Sequence, residues 1–471
     1  MEMNVGILKK LFSTEYMVKP SERLGEIPKS KDAYSAFIKI AWPAMIESMF
    51  VAFTGFIDTV MVSHASETAV AAVGITSQPR MLFYILFFAI NAATVAIVSR
   101  RYGEKRREEA SHCAAQTFML CILVSVIEGI VAFSLAEPLL KFSGANDDTI
   151  REALVYFKIT IVGLFFYSFS CVLNAAQRGT GRTKITMRST MAGNLLNVAL
   201  NFLLINGIGF FPKLGVMGAA IATLCGNICS FLVSLVSFLG KSSYLKLKWS
   251  YFFKFERSLL SVLWKVGSGA GIEQLFMRVG MFLFAKVVAD LGTDETTTHH
   301  ICMNIISISF ACGDGLGAAA AAMVGQNLGK KRSDLSLMYG KLAQRIAWIF
   351  SAILFIMFMS GGRLWMMCFT EKEAIIQEGI KVLRIVALVS LTQVSQVIFT
   401  GSLRGAGDTK FNAVVSLFSV DIARPTIAYI LCHVFGVGVI GAWIALCIDQ
   451  FTRFVCVTVH FYRGKWRNIK L

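Results

Sequence analysis

The chain reads RGTGRTK at Arg178–Lys184 and RGAGDTK at Arg404–Lys410. The two copies stand 226 residues apart (404 − 178 = 226), close to half of a 471-residue sequence. Glycines beside basic residues bring a phosphate loop to mind. Such a loop needs GxxxxGK followed by Ser or Thr, set between a strand and a helix, and neither context is present. The spacing points to a duplication instead. At the same offset Ile46-Glu47 falls on Ile272-Glu273, Ala65-Ser66 on Leu291-Gly292, Val98 on Val324 and Gly103 on Gly329. One ungapped offset serves all of these places, so the two glycine-rich stretches are equivalent turns of a repeated unit. Each ends one helix and begins the next. Glycine supplies the left-handed residue such a turn needs, and arginine suits a helix C-terminus.

The repeated unit is a set of membrane spans. Hydrophobic residues make up 55% of the chain and charged residues 16%, with a mean hydropathy of +0.63. Soluble domains carry about a quarter charged residues, so a surface this apolar calls for a bilayer around it. Twelve apolar stretches are long enough to span: 34–62, 69–98, 111–135, 150–176, 185–206, 215–239, 259–289, 296–325, 335–359, 375–402, 411–433 and 439–463. They are continuous rather than alternating, which excludes a barrel. Lys and Arg gather after the even spans, in RRYGEKRREE, RGTGRTK, the segment from Lys241 to Lys254, KKR and RGAGDTK. SHASET, LGTDETT and the connection after the eleventh span carry none. The positive-inside rule then puts both termini and every even connection in the cytoplasm. Six spans per copy keep the copies in one orientation, as parallel repeats.

The fold expected is an all-α membrane protein, twelve transmembrane helices in two pseudo-symmetric six-helix lobes around a central cavity. Residues 1–33 form a cytoplasmic tail with no secretory signal. The N-lobe covers 34–240, a cytoplasmic linker 241–258, the C-lobe 259–463, and a second tail 464–471. The net charge of +17 sits in short runs between spans, which orients helices and argues against a nucleic-acid partner. The eleven cysteines contain no CxxC pair and read as small buried hydrophobes.

A charge in mid-membrane costs roughly 2.5–3.5 kcal/mol even on the lenient insertion scale, so each one marks a candidate site. Glu47 and Asp58 lie eleven residues apart in the first span. Eleven steps of about 100° return to within about 20° of the start, and Thr54 shares the stripe. Pro43 allows a bend near the start of this helix. Thr190, Asn194, Asn197 and Asn201 make a second polar stripe in the fifth span. For Asn194, an interhelical hydrogen bond worth about 0.6 kcal/mol is an equal alternative. Asp58 facing Asn197 and Asn201, with Thr54 beside them, reads as a cation or proton site. Oxygen donors suit a hard cation or a proton better than a transition metal. The ion bound there is a hard cation, such as Na⁺ at Asp58 and Asn197, or H⁺, with no cofactor beyond it. Glu47, Gln78, Tyr167, Asn174, Asn194, Glu273 and Asn304 complete the set as candidate cavity residues. Of these, Glu273 is the repeat mate of Glu47 and Asn304 that of Gln78, and packing competes evenly with substrate contact. Gln393 reads as lobe packing, Asp421 and Arg424 as an ion pair one turn apart. The adjacent His299 and His300 diverge by about 100° on a helix, which argues against a shared metal.

Together these residues resemble the multidrug and toxic compound extrusion (MATE) transporters over 35–463. The resemblance rests on P-A-x-x-E…F-I-D-T-V-M-V in the first span, THHICMNI and MVGQNLG around the eighth, and the paired RGTGRTK and LRGAGDTK turns. It implies two six-helix lobes, a central cavity, and H⁺- or Na⁺-driven antiport by rocking of the lobes. It also implies that Asp58 matches the family's first-helix acid and Asn197 an asparagine of its fifth-helix cation site. Where many members carry an aspartate, this chain has Asn201. Where a subgroup carries C-lobe acids, it has Met277, one turn from Glu273, and Gln393. Coupling is thus expected in the N-lobe.

The expected function is cation-coupled export of organic, cationic or polyaromatic small molecules by a monomer in a bacterial inner membrane. Removal from water favours the uncharged form of a carboxylate, so Asp58 can take up a proton. A lipid-linked oligosaccharide flippase of related architecture is the alternative. An enzyme is not expected, because no HExxH and no serine–lysine pair lies at depth.

Overall fold

The computed structural model describes residues 10–63, 67–208, 211–240, 243–246, 248–253, 256–469 and 471. Ala65-Ser66 of the repeat overlay and Lys241 and Lys254 of the linker lie outside them. Twelve long helices carry the fold. The first six are α1 (Ser30–Ser63), α2 (Glu67–Gly103), α3 (Arg107–Ser134), α4 (Asp147–Gly179), α5 (Thr183–Asn206) and α6 (Gly215–Leu239). The second six are α7 (Arg257–Ala289), α8 (Thr293–Gly329), α9 (Ser333–Ser360), α10 (Glu373–Ala406), α11 (Thr409–Val434) and α12 (Val439–Arg463). No strand occurs among the described residues. Each expected span falls on one of these helices. Among the described residues, 10 helices are long and apolar enough to cross a membrane by composition alone. α5 and α7 are as long but polar. α5 carries the Thr190–Asn201 stripe, and α7 carries Lys265, Glu273, Arg278 and Lys286. α11 is irregular, with π-turns at Leu417–Ala423 and Ile430–Val434 on either side of Arg424–Tyr429.

The repeat survives down to single hydrogen bonds. After α4, Gly181 takes φ 83°, Gly181 N donates to Arg178 O at 2.8 Å and Arg182 N to Gln177 O at 3.0 Å. After α10, Gly407 takes φ 88°, Gly407 N donates to Arg404 O at 2.9 Å and Asp408 N to Leu403 O at 2.8 Å. The left-handed glycine closes the helix and satisfies its last carbonyls. The first glycine of each motif serves packing instead: a Cβ on Gly179 would stand 3.1 Å from Ser99 N on α2, and one on Gly405 would run into Ala321 on α8. The turns after α2 and α8 match too. Lys105 (φ 60°) and Lys331 (φ 58°) are equivalent left-handed residues, and Arg106 N→Arg101 O (3.0 Å) mirrors Arg332 N→Asn327 O (2.9 Å).

Packing divides the chain into two compact units, Ile46–Gly267 (the N unit) and Met1–Met45 with Ser268–Leu471 (the C unit). The lobes expected from chain order, 34–240 and 259–463, and these units part company at the leading helices α1 and α7. The start of α1 packs in the C unit, where Phe37, Ala41 and Met45 share a core with Leu316, Ala319 and Met323 of α8. A Cβ on Gly315 would run into the backbone of Ala44 and Met45. The N-terminal segment joins the same core through Met17 and Val18, with Leu24 N donating to Asp334 Oδ2 at 3.0 Å. In the N unit the start of α7 meets α2, with a Cβ on Gly267 3.4 Å from Ala89 O.

Within the N unit, α5 and α6 approach backbone to backbone. A Cβ on Gly193 would stand 2.5 Å from Gly226 O, and one on Gly226 2.7 Å from Gly193 O. Small residues allow such approaches in membranes. The contact holds α5 at a fixed rotation and so aims its polar stripe.

Candidate functional site

The N unit brings the first and fifth helices together at an acid. Asn201 Nδ2 donates to Asp58 Oδ1 at 2.7 Å. With its amide nitrogen facing the acid, Asn197 donates to Oδ1 and Oδ2 at 2.9 and 3.2 Å and accepts from Thr223 N at 3.2 Å. The two asparagines are 5% and 1% exposed. Thus Asp58, Asn197 and Asn201, named from the sequence, form one cluster. Asn201 Oδ1 is buried and receives no hydrogen bond. The amide N–H groups face the carboxylate here, and the hard oxygen donors the three side chains carry have a chemistry that fits a hard cation or a proton. Thr54 is buried close by on α1, but its hydroxyl donates back to Phe50 O at 2.8 Å.

Arg80 escaped the sequence reading. It lies within electrostatic reach of Asp58 and its guanidinium donates to Tyr156 Oη at 3.4 Å. The signal was a lone basic residue in the run SQPRMLF. It gives the Asp58 site an internal cation that partly offsets the acid.

The other named residues fall into different settings. Glu47, 7% exposed, accepts from Thr186 Oγ1 at 2.7 Å and Thr190 Oγ1 at 3.0 Å, with Arg178 Nη2 at 3.7 Å. Its mate Glu273, 3% exposed, is gripped by Arg404 at 2.6 and 3.2 Å. Arg178 and Arg404 are the opening arginines of the two repeated turns, so each turn ties inward to the glutamate on the leading helix of its own repeat. Asn174 belongs to a packing seam of α4 and α6, accepting from Ser234 Oγ at 2.8 Å and donating to Ser170 Oγ at 3.3 Å. Tyr167 meets Tyr84 edge to face at 5.0 Å between centroids. Asn194 is half-buried, and Gln78 and Asn304 are exposed.

In the C unit, Gln393 is fully buried and accepts from Ser309 Oγ at 2.7 Å. Met277 lies against Arg453, with Nη1 3.5 Å from Sδ. The expected Asp421–Arg424 ion pair is replaced by another. Arg424 pairs with Asp449 of α12, to which Arg453 also donates at 3.2 Å and Ser419 donates its hydroxyl. The π-turn at Leu417–Ala423 breaks the regular spacing on which the expectation rested. Asp449 and Arg453 stand four residues apart in the apolar run CIDQFTRF, a helical spacing that would have revealed them. His299 packs against Phe284 and Trp443 at 5.3 and 5.6 Å.

The sequence profile of the MatE family matches residues 43–203 and again 270–430, two segments offset by 227 residues (270 − 43 = 227). The "Uncharacterized transporter YisQ" of Bacillus subtilis is 27% identical over 444 residues, 94% of this chain and 96% of that protein. The "Probable multidrug resistance protein NorM" of Thermotoga maritima is 27% identical over 464 residues, 95% of each. "Multidrug resistance protein PmpM" of Pseudomonas aeruginosa is 26% identical over 81% of this chain and 80% of its own length. The crystal structure of MATE in the straight conformation shares the fold with a TM-score of 0.85 at 23% identity, over 92% of this chain and 96% of that one. An outward-facing multidrug resistance MATE family transporter matches equally well, at 0.85 and 23%, with the same coverage. With its fold, its duplicated half and both halves matched, this chain belongs to the MatE family of integral membrane transporters.

Proposed function

We propose that this transporter is a multidrug exporter, a cation-coupled antiporter that moves organic cationic or polyaromatic small molecules out of a bacterial cell. It works as a monomer in the inner membrane with both termini in the cytoplasm, by alternating access of two six-helix lobes, 34–240 and 259–463. The coupling ion is H⁺ or Na⁺. The observation that carries the reading is the half-buried Asp58 held by the buried Asn197 and Asn201, with the Asn201 oxygen unpaired. The names of relatives such as NorM and PmpM support the substrate class. Placement of coupling in the N unit is supported by the C unit's own chemistry, where Arg453, already a cation, lies beside Met277 and the Gln393 carbonyl oxygen already accepts from Ser309.

Asp58 carries the negative charge that attracts a cationic substrate. A proton added to its carboxyl, or Na⁺ held at Asp58 and Asn197, cancels this charge. The substrate then loses its attraction, and Arg80 loses its counter-charge. Ion and substrate compete for one charge, and that competition converts an ion gradient into export. Glu273 is paired with Arg404 and Glu47 is held by Thr186 and Thr190 with Arg178 at 3.7 Å, which favours Asp58 over them as the charge the ion and substrate share.

The test is transport in proteoliposomes with pH and Na⁺ gradients imposed separately, against a panel of organic cations. Asp58→Asn is expected to abolish ion-driven export while the protein elutes as a folded monomer. Full ion-driven transport by that variant would remove the basis of the proposal.

A further inference from the structure

Besides Glu47, the N unit contains another buried carboxylate that the Asp58 mechanism does not use. Glu128 lies on α3 six residues before Ser134 (134 − 128 = 6), about 9 Å along the axis. It is 7% exposed. It borders a narrow crevice lined by Phe87 of α2, Ser125 and Gly129 of α3, and Ile161, Leu164 and Phe165 of α4. The Phe165 ring closes over Gly129, 2.9 Å from where a Cβ would stand.

Among the described residues, the Cys121, Ser125 and Ser168 donors on this side are already engaged. Ser168 Oγ donates to Phe165 O at 2.7 Å. In the 2.9 Å contact between Ser125 and Ser168, the proton must therefore come from Ser125. The Cys121 thiol donates to Ser168 O at 3.5 Å. Glu128 Oε2 is buried and receives no hydrogen bond. The cleft has no cationic lining residue, and the ionisable group that faces Glu128 is the Cys121 thiol on its own helix. A carboxylate anion here would be a bare charge in an apolar setting, which proteins avoid by neutralising the group. A neutral carboxylic acid needs no counter-ion.

We propose that Glu128 is a proton-binding site of the N unit, separate from Asp58, occupied by a proton while α2, α3 and α4 are packed around it as in this structure. The proton sits on a carboxyl oxygen, and the group is an acid rather than an anion. Releasing that proton leaves a charge that only water or a cation can solvate, and Phe165 must leave Gly129 to admit either. Proton loss and opening of this three-helix corner are thus one event. The proposal does not depend on how Asp58 is used.

Infrared spectroscopy of the purified full chain at neutral pH tests it. A carboxylic-acid C=O band is expected in the wild type and should shift when glutamate, but not aspartate, is labelled with carbon-13. That measurement needs no variant. In Glu128→Gln the labelled band should disappear, and in Asp58→Asn it should persist. A wild type without a glutamic-acid band at neutral pH, or a band unchanged in Glu128→Gln, overturns the proposal.

Discussion

Two glutamates at equivalent positions of the repeat are neutralised in different ways, and the difference has consequences. Glu273 rests on a two-point grip by Arg404 at 2.6 and 3.2 Å. Glu47 rests mainly on two threonine hydroxyls, with Arg178 further off at 3.7 Å. Breaking a buried ion pair from one side strands the other charge. Glu273→Gln is therefore expected to cost about 3 kcal/mol, read as a lowered unfolding midpoint in detergent. The double substitution Glu273→Gln with Arg404→Gln should recover part of that loss, because neither charge of the pair is then stranded, while Asp314 loses the cation nearby. Glu47→Gln should cost less, about 1 kcal/mol, since a glutamine side chain still accepts from Thr186. Equal losses for Glu47→Gln and Glu273→Gln would show that hydrogen bonding, not the ion pair, holds both.

At the scale of helices, two glycines decide whether the polar stripe of α5 meets Asp58. Gly193 and Gly226 bring the backbones of α5 and α6 together, and Asn197 follows Gly193 one turn later. A larger residue at either position must push the helices apart, at a typical overpacking cost of about 1–3 kcal/mol. Gly226→Val should lower stability by that amount and weaken ion-driven transport as well, because Asn197 and Asn201 move with α5. Gly74→Ala, on α2 where an added Cβ meets open space, is the control and should change neither. Retention of ion-driven transport by Gly226→Val would separate the stripe from coupling. Elsewhere, the π-turns of α11 re-aim Arg424 toward Asp449, and a reading that assumed a regular helix paired it with Asp421 instead.

At the scale of the whole chain, six helices are written twice, and the copies agree in bond pattern at the turns after α2 and α8 and after α4 and α10. Parallel copies of six spans place equivalent turns on one side of the membrane. In a background without the exposed Cys368, single cysteines at Lys105 and Lys331 should react with a membrane-impermeant maleimide only from the cytoplasmic side. A cysteine at Asp147, the exposed first residue of α4, should react only from outside. Labelling of the Lys105 and Lys331 positions from opposite faces would reverse one copy and end the parallel description.

The duplication, the helical class and the span positions were legible in the sequence because each rests on local pattern: apolar length, basic connections and one constant offset. Asp58, Asn197 and Asn201 were legible for the same reason, since polar residues in apolar helices are conspicuous and helical spacing fixes which share a face. Tertiary structure decided what each polar group touches. It sent Arg178 and Arg404 inward to Glu47 and Glu273, committed Asn174 to Ser234, brought Arg80 to Tyr156, and joined the start of α1 to the core of the other repeat. Those partners lie up to hundreds of residues apart, and no periodicity records which helix will stand opposite a given face. Only the close approach of particular backbones, set by glycines such as Gly193, Gly226 and Gly315, makes that choice.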